Sequence, residues 1–139
     1  MDGVARTQQK WGEAATAAGF TVLPNHLLSI NQFVGEARQI SPTEMVVLLQ
    51  LLAAWWSADK MPFPSKATIG KRAGLSPRQV QRALSSLEAK EYLKRKARFG
   101  SNKGRASNEY DVSGVAEVVR RLGDAYPEAF KRRASEQPE

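Results

Sequence analysis

The chain has 139 residues, of which 42% are hydrophobic and 25% charged, so we expect one compact folded domain and exclude wholesale disorder and low-complexity scaffolds. It has no cysteine and one histidine, His26, which excludes disulfide frameworks and thiolate zinc sites and leaves almost nothing for a histidine-based catalytic triad. We therefore expect no enzyme activity, no catalytic residues, no metal and no cofactor. The formal net charge of +7 points to a polyanionic partner.

Membrane insertion and export are not expected. The longest apolar run, residues 45–56, is interrupted by Gln50 and is shorter than the roughly 20 residues that a membrane-spanning helix needs. The first thirty residues lack the basic start and apolar stretch of a signal peptide. With no cysteine to oxidise, a cytoplasmic location is the default expectation.

The positive charge is concentrated in one segment. Residues 65–105 carry twelve Lys or Arg against two Glu, a net charge of +10, whereas the remaining residues carry nine basic and twelve acidic side chains, a net charge of −3. A basic segment on a slightly acidic body is typical of a protein that binds a phosphate backbone. A solvated charged face is the alternative.

The N-terminal forty residues are expected to form a helical extension packed on the core. Residues 1–7 read as a loose terminus, and residues 8–18 predict a helix closed by Gly19. Residues 20–23 resemble a short β-strand. A further helix is expected from Pro24 and Asn25 to Gly35, and His26 within it is interpreted as a surface or capping histidine.

Residues 41–44 combine three signals for the start of a helix. Ser41 is a suitable N-cap, Pro42 suits the first helical position, and Glu44 can return a hydrogen bond to the cap. The following residues, 45–56, are apolar on nearly every side, which predicts the central buried helix. Part of this helix could instead be a dimer face.

Two short helices joined by a tight turn are predicted next. Ser65 begins a helix over residues 66–73, and Gly74 suits the left-handed position that ends it. Ser76 then begins a second helix, residues 77–90, with Pro and Gln at its first and third positions. Such a short glycine-containing connection is the signature of a helix-turn-helix.

The outer face of helix 77–90 predicts its function. At about 100° per residue, its apolar side chains fall on one side, and the opposite side is polar, with no acid before Glu88. Arg, Gln and Ser are side chains that read base edges in the major groove. A plain surface helix, the alternative, would mix Glu with Lys. The predicted base-reading residues are Arg78, Gln79, Gln81, Arg82 and Ser85.

A β-hairpin is predicted after this helix. Residues 92–99 alternate, with Leu93, Arg95, Ala97 and Phe99 on one face and Tyr92, Lys94, Lys96 and Arg98 on the other. Residues 100–104 form a turn, and residues 105–112 return with Tyr110 and Val112 facing inward. A hairpin after a helix-turn-helix is a wing, although an ordinary charged hairpin loop would look similar.

The predicted contacts to the DNA backbone come from the first helix of the motif, its caps and the wing. The wing tip would follow phosphates or enter the minor groove. These residues are Ser65, Lys66, Lys71, Ser76, Lys94, Lys96, Arg98, Asn102, Lys103 and Arg105.

The C-terminal segment, residues 113–139, predicts one more helix and a polar tail. Ser113 is expected to cap a helix that runs through Leu122 and ends at Gly123. The basic triplet 131–133 could touch DNA or be a solvated end.

Several motifs together resemble a known family. They are Phe63-Pro64-Ser65, Gly74-Leu75-Ser76, Arg78-Gln79-Val80-Gln81-Arg82, Leu87-Glu88, Tyr92-Leu93 and Asn108-Glu109-Tyr110. Over residues 41–112, the chain resembles a winged helix-turn-helix family found in plasmid and phage replication proteins and in transcriptional regulators of mobile elements. The resemblance implies a supporting helix over 65–73, a recognition helix over 77–90 and a wing over 94–108.

One residue departs from the family's pattern. The family has glycine before the Tyr-Leu pair, and this chain has Glu91, which is strained in the left-handed conformation that glycine allows. We therefore expect either a longer helix or one that ends with Lys90 or Glu91 strained.

The expected architecture is mainly α-helical with a small β-hairpin wing: a winged helix-turn-helix over 41–112 with an extension over 1–40 and a helix and tail over 113–139. The predicted function is sequence-specific binding of double-stranded DNA as a transcriptional regulator of a bacterial mobile element, in the cytoplasm with the nucleoid or a plasmid. The sequence leans towards a homodimer through helix 8–18, helix 45–56 or the C-terminal helix.

Two other functions stay open. One is a replication initiator or accessory factor of a plasmid or phage. The other is a winged-helix protein-interaction module that would use Trp11, Trp55 and Trp56, although tryptophan beside a leucine-rich helix is more often part of a core.

Overall fold

The computed structural model describes residues 3–99 and 105–131, without the side chains of residues 99 and 105–107. Within these residues the chain is mainly helical with one two-stranded antiparallel sheet. The helices are α1 (Gly3–Trp11), α2 (Glu13–Ala18), α3 (Asn25–Leu28), α4 (Pro42–Ala53), α5 (Lys66–Ala73), α6 (Pro77–Ala89) and α7 (Ser113–Ala125), and the strands are β1 (Lys94–Phe99) and β2 (Arg105–Asp111). Two short 3₁₀ turns, Ile30–Gln32 and Glu36–Arg38, lie between α3 and α4.

One apolar core holds these elements together. It is centred on α4, α5 and α6, and the base of the wing and the start of α7 close it. The N-terminal extension contributes to this same core through α3 and the segment before α4. The buried apolar side chains are Leu27, Ile30, Ile40, Val47, Leu48, Leu51, Leu52, Ile69, Val80, Ala83, Leu84, Leu87, Tyr92, Leu93, Tyr110, Val112 and Val115.

Helix α4 begins as the sequence predicts and ends earlier. The Ser41 hydroxyl accepts from the backbone N–H of Glu44 at 3.1 Å, and the Glu44 carboxylate accepts from the N–H of Ser41 at 2.7 Å, which completes a capping box. The helix stops at Ala53 because its last turn tightens into i→i−3 hydrogen bonds. The expected extension to residue 56 is therefore wrong, and Trp56 is 90% exposed.

The helix-turn-helix forms as predicted. Ser65 and Ser76 both cap their helices through the side-chain hydroxyl, and Gly74 adopts the left-handed conformation with φ 73°. The two helices approach closely at Gly70, whose carbonyl accepts from the N–H of Leu75 at 2.9 Å. A Cβ on Gly70 would collide with the carbonyl oxygen of Leu75, so glycine is required there.

The N-terminal predictions need correction. The helix expected over 8–18 starts at Gly3 and is divided into α1 and α2, because Gly12 has a φ of 88°, which no helix accommodates. Within the described residues, 20–23 form no strand, since the wing strands pair only with each other. The helix expected from residue 24 to Gly35 is a single turn, α3, followed by a 3₁₀ turn that ends at Gln32.

The wing is an irregular hairpin. Lys96 pairs with Glu109 and Arg98 with Ala106, and the register shifts between these pairs. The shift breaks the assumed period of two, and Ala97, expected on the same face as Leu93, is exposed whereas Leu93 is buried. Arg98 is half-buried, with its guanidinium 4.0 Å from the centre of the Phe63 ring.

The start and end of α7 also differ from expectation. Ser113 is its first residue, and the Asp111 carboxylate accepts from the N–H of Ser113 at 2.9 Å, in place of the expected cap by the Ser113 hydroxyl. The helix passes through Gly123 to Ala125, because a glycine that has helical neighbours weakens a helix without ending it.

His26 links α3 to the end of α7. Its Nε2 lies 2.9 Å from the carbonyl oxygen of Tyr126, and its ring packs edge-on against Phe130 and beside Phe33. Because Tyr126 is the residue that ends α7, this contact agrees with the interpretation of His26 as a surface or capping histidine.

Candidate nucleic-acid interface

Helix α6 is strongly amphipathic, and its outer face is open. Val80, Ala83, Leu84 and Leu87 are buried against the core. Arg78 and Arg82, one turn apart, are exposed on the opposite side, with half-buried Ser85 beside them. The helix thus presents two guanidinium groups and a hydroxyl in one row.

Neither guanidinium is neutralised within the part of the chain that the structure describes. No carboxylate in residues 3–99 or 105–131 lies within ion-pair distance of Arg78 or Arg82. The two carboxylates on the flanks of α6, Glu44 and Glu88, are each held by another base. The outer face of α6 therefore keeps its positive charge.

Glu88 fastens the wing to α6. One carboxylate oxygen accepts from Nη2 and Nε of Arg95 at 2.7 and 3.0 Å, and the other accepts from the backbone N–H of Arg95 at 3.0 Å. The hydrogen bonds from the backbone and side chain of Arg95 hold the pKa of Glu88 below its ordinary value. Sequence reasoning missed this pair, although Glu88 is the only acid on a helix that leads into a basic strand.

Glu44 and Lys90 form a second fixed pair on the other flank. Lys90 Nζ donates to both oxygens of Glu44 at 2.9 and 3.0 Å and to the carbonyl oxygen of Gln39 at 2.7 Å. Burial alone would raise the pKa of Glu44, but the hydrogen bonds from Lys90 and Ser41 outweigh burial and hold the pKa below its ordinary value. This pair ties the end of α6 to the start of α4, and sequence reasoning missed it too.

The two glutamines predicted to read bases have other contacts. The Gln79 side-chain oxygen accepts from the N–H of Ser76 at 2.9 Å, so it completes the N-terminal cap of α6. Gln81 points to the wing side of α6 and donates to the Ser85 hydroxyl at 3.2 Å. Its oxygen is buried and has no hydrogen-bond partner among the described residues. A cavity of about 510 Å³ lies there, between α6, Lys66 and Arg95.

The predicted backbone contacts are distributed around this face. Lys71, Lys94 and Lys96 are exposed and Lys66 is half-buried, whereas the hydroxyls of Ser65 and Ser76 are used as helix caps. Asn102 and Lys103 lie outside the described residues. Arg105 begins β2, and its side chain is not described.

The junction between α6 and the wing is fixed by a Schellman motif. Glu91 takes the left-handed position with φ 66°, which confirms the expectation of a strained residue there. The N–H of Tyr92 donates to the carbonyl oxygen of Leu87 and that of Glu91 to Glu88, both at 3.0 Å. A Cβ on Gly114 would collide with the carbonyl oxygen of Glu91, so α7 packs directly on this turn.

Three helices with a helix-turn-helix, followed by a two-stranded hairpin, define the fold as a winged helix. Residues 38–93, which span α4 to α6, match the family model described as a helix-turn-helix domain. Among solved structures, a possible transcriptional regulator from Methanosarcina mazei Go1 is similar at 14% sequence identity and a TM-score of 0.46, over 75% of this chain and 79% of the other. A likeness this distant carries no argument about function. No curated protein matches the sequence.

Among residues 3–99 and 105–131, no helix is both long and apolar enough to cross a bilayer. The same residues contain no group of three or more potential metal-ligating side chains placed to hold an ion.

Proposed function

We propose that the protein binds double-stranded DNA in a sequence-specific manner, with α6 in the major groove and the wing, residues 94–108, along the backbone or in the minor groove. The observation that carries the proposal is the pair of exposed arginines, Arg78 and Arg82, on the outer face of the second helix of a helix-turn-helix. Neither has a carboxylate partner among the described residues. Both side chains are exposed, so they do not contribute to packing of the core.

The geometry suits reading of bases. Residues four apart on a helix are separated by about 6 Å along its axis, and base pairs rise by about 3.4 Å, so the two arginines reach sites about two base pairs apart. Arginine pairs bidentately with guanine in the major groove, and serine can donate or accept. Arg78, Arg82 and Ser85 are the proposed direct readers.

The two glutamines have narrower roles in this proposal. Gln81 is proposed to contact DNA from the side of α6 that faces the wing. The oxygen of Gln79 is engaged in the cap, and its amide N–H₂ group remains the part that DNA can use.

Phosphate contacts supply affinity in this proposal. The exposed side chains of Lys71, Lys94 and Lys96, together with Lys66, lie on elements that flank α6. Asn102, Lys103 and Arg105 of the proposed wing tip extend this set. Arg98 also belongs to it, with its guanidinium over the Phe63 ring. Such contacts make affinity fall steeply with salt but do not distinguish sequences.

The biological role we propose is that of a transcriptional regulator of a bacterial mobile element, acting in the cytoplasm. Replication initiation or accessory binding at a plasmid or phage origin uses the same surface and differs only in the site bound. Both roles rest on the motif resemblance over residues 41–112.

Fluorescence anisotropy with purified protein tests the proposal. Duplexes that tile the DNA upstream of its own gene are compared with scrambled duplexes at several salt concentrations. The double variant Arg78→Ala/Arg82→Ala is compared with Lys60→Ala/Arg121→Ala, which removes the same charge from two exposed positions outside the proposed DNA-binding set.

The first double variant is expected to lose about 1 to 3 kcal/mol of discrimination per arginine. The second should keep the wild-type preference. Failure of every duplex to bind, or equal losses in both variants, would contradict the proposal.

A further inference from the structure

Helix α1 lies apart from the core. None of its residues is buried, and of the helices described it packs mainly against α2. It nevertheless carries two large apolar side chains seven residues apart on one face: Val4 is 48% exposed and Trp11 69% exposed. A nine-residue helix is marginal in water on its own, so burial of this exposed face would stabilise α1.

An apolar groove stands open elsewhere on the same chain. It has a volume of about 550 Å³ and lies between the end of α4, the segment before α3 and the first turns of α7. Its walls include Phe20, Val22, Trp55 and Trp56, and Val22 and Trp56 are 82% and 90% exposed. Isolated surface apolar residues are ordinary, but a contiguous groove beside two exposed aromatic rings, Phe20 and Trp56, marks an interaction site.

The size of the exposed surface fits a second copy of the chain. From the exposed fractions of Trp11, Phe20 and Trp56, each chain offers about 500 Å² of aromatic surface. Two-fold symmetry uses the same patch on both subunits and doubles this to about 1,000 Å², which approaches the size of a stable interface before any other residue is counted. Residues 132–139 are nearly all polar or charged and do not suit an apolar groove.

The connection between α1 and the core contains two glycines at which the backbone can change direction. Gly12 and Gly19 both have positive φ values, and a Cβ at either position would meet no other atom within 4 Å among the described residues. A change in backbone direction at Gly12 or Gly19 therefore drives no side chain of these two residues into its surroundings, although Thr16 of α2 between them is buried.

We propose that the protein dimerises by reciprocal exchange, with Trp11 of each copy inserted into the Phe20–Trp56 groove of the other. The groove shares no residue with the proposed DNA-binding set, so an occupied groove leaves that set free. The inference needs no DNA binding and is tested without DNA.

Sedimentation velocity of the full chain over about 1 to 100 µM measures the association. Trp11→Ala removes the inserted side chain, and Trp56→Ala damages the groove. Phe63→Ala is the matched control, since Phe63 is an aromatic residue 55% exposed outside the groove. All three positions are exposed, and thermal melts verify that each variant is folded.

We expect a wild-type dimer, weakened at least about tenfold by Trp11→Ala and by Trp56→Ala and unchanged by Phe63→Ala. An equimolar mixture of the two weakened variants is expected to regain association. The heterodimer has one intact tryptophan facing one intact groove, whereas neither homodimer has such a pair.

Three results would overturn the proposal: a wild-type monomer at every concentration, a dimer that either tryptophan variant leaves unchanged, or a mixture that associates no better than its components. A wild-type monomer would leave the DNA-binding proposal standing, because that proposal is measured separately by anisotropy.

Discussion

Gly70 offers a direct test of how the helix-turn-helix is packed. A Cβ at this position would collide with the backbone carbonyl oxygen of Leu75 and touch Val80 on α6 at 3.6 Å. The backbone cannot rotate away as a flexible side chain could, so Gly70→Ala must push α5 and α6 apart. Gly123 on α7 is the matched control, since a Cβ there meets no other heavy atom within 4 Å in the described part of the chain.

The expected effects have opposite signs. Alanine is favoured over glycine inside a helix by about 1 kcal/mol, so Gly123→Ala should stabilise the protein by about that amount. At Gly70 the same gain is offset by overpacking of about 3 kcal/mol, at the upper end of the usual range because the clash is with backbone. The net result is a loss of about 2 kcal/mol.

Thermal and urea unfolding of the wild type and both variants measure these changes. For a chain of this length, 1 kcal/mol moves Tm by about 3 to 5 °C, so Gly70→Ala should melt about 6 to 10 °C lower and Gly123→Ala about 3 to 5 °C higher. If Gly70→Ala were as stable as the wild type, the close approach of α5 to the turn would be incorrect.

Three further predictions concern the caps and the fixed ion pairs. Glu91→Gly should raise Tm, because the left-handed conformation at φ 66° costs a non-glycine residue about 1 kcal/mol, and an unchanged or lower Tm in the melt would argue against the Schellman turn. Ser76→Ala should cost about 1 kcal/mol in urea unfolding, because the cap of α6 is lost, and no change would mean that the cap contributes little. Because the pKa of Glu44 is lowered in the folded state, its contribution to stability is present above its ordinary value of 4.5 and is lost as pH falls through the folded value. Unfolding free energies measured from pH 6 to pH 3 should therefore fall more steeply in the wild type than in Glu44→Gln, and parallel curves would contradict the assignment.

The helix starts could be predicted because they depend on neighbouring residues. At Ser41, Ser65 and Ser76 a hydroxyl caps the backbone three residues ahead, and the structure shows each of these hydrogen bonds. The exposed arginines of α6 followed from helical periodicity for the same reason. Their contact with DNA stays a prediction.

The ends of elements and the faces of the wing could not be predicted as well. The apolar run to Trp56 suggested a longer α4. The hydrophobicity of a residue, however, does not determine whether it is helical or whether it is buried in the folded chain. The alternation around Ala97 assumed a regular ladder, and the register shift between β1 and β2 is a property of two strands together. The composition of residues 8–18 predicted one continuous helix, but the positive φ of Gly12 separates α1 from α2.

The sequence by itself determined the helix-turn-helix, its caps and the basic outer face of α6, because each depends on residues within about one helical turn. Only the tertiary structure decided that Glu88 and Arg95 fasten the wing, that Lys90 neutralises Glu44 and that a groove opens beside Trp56. These features join residues from different elements, and their energies depend on distances and burial that exist only after the chain has packed.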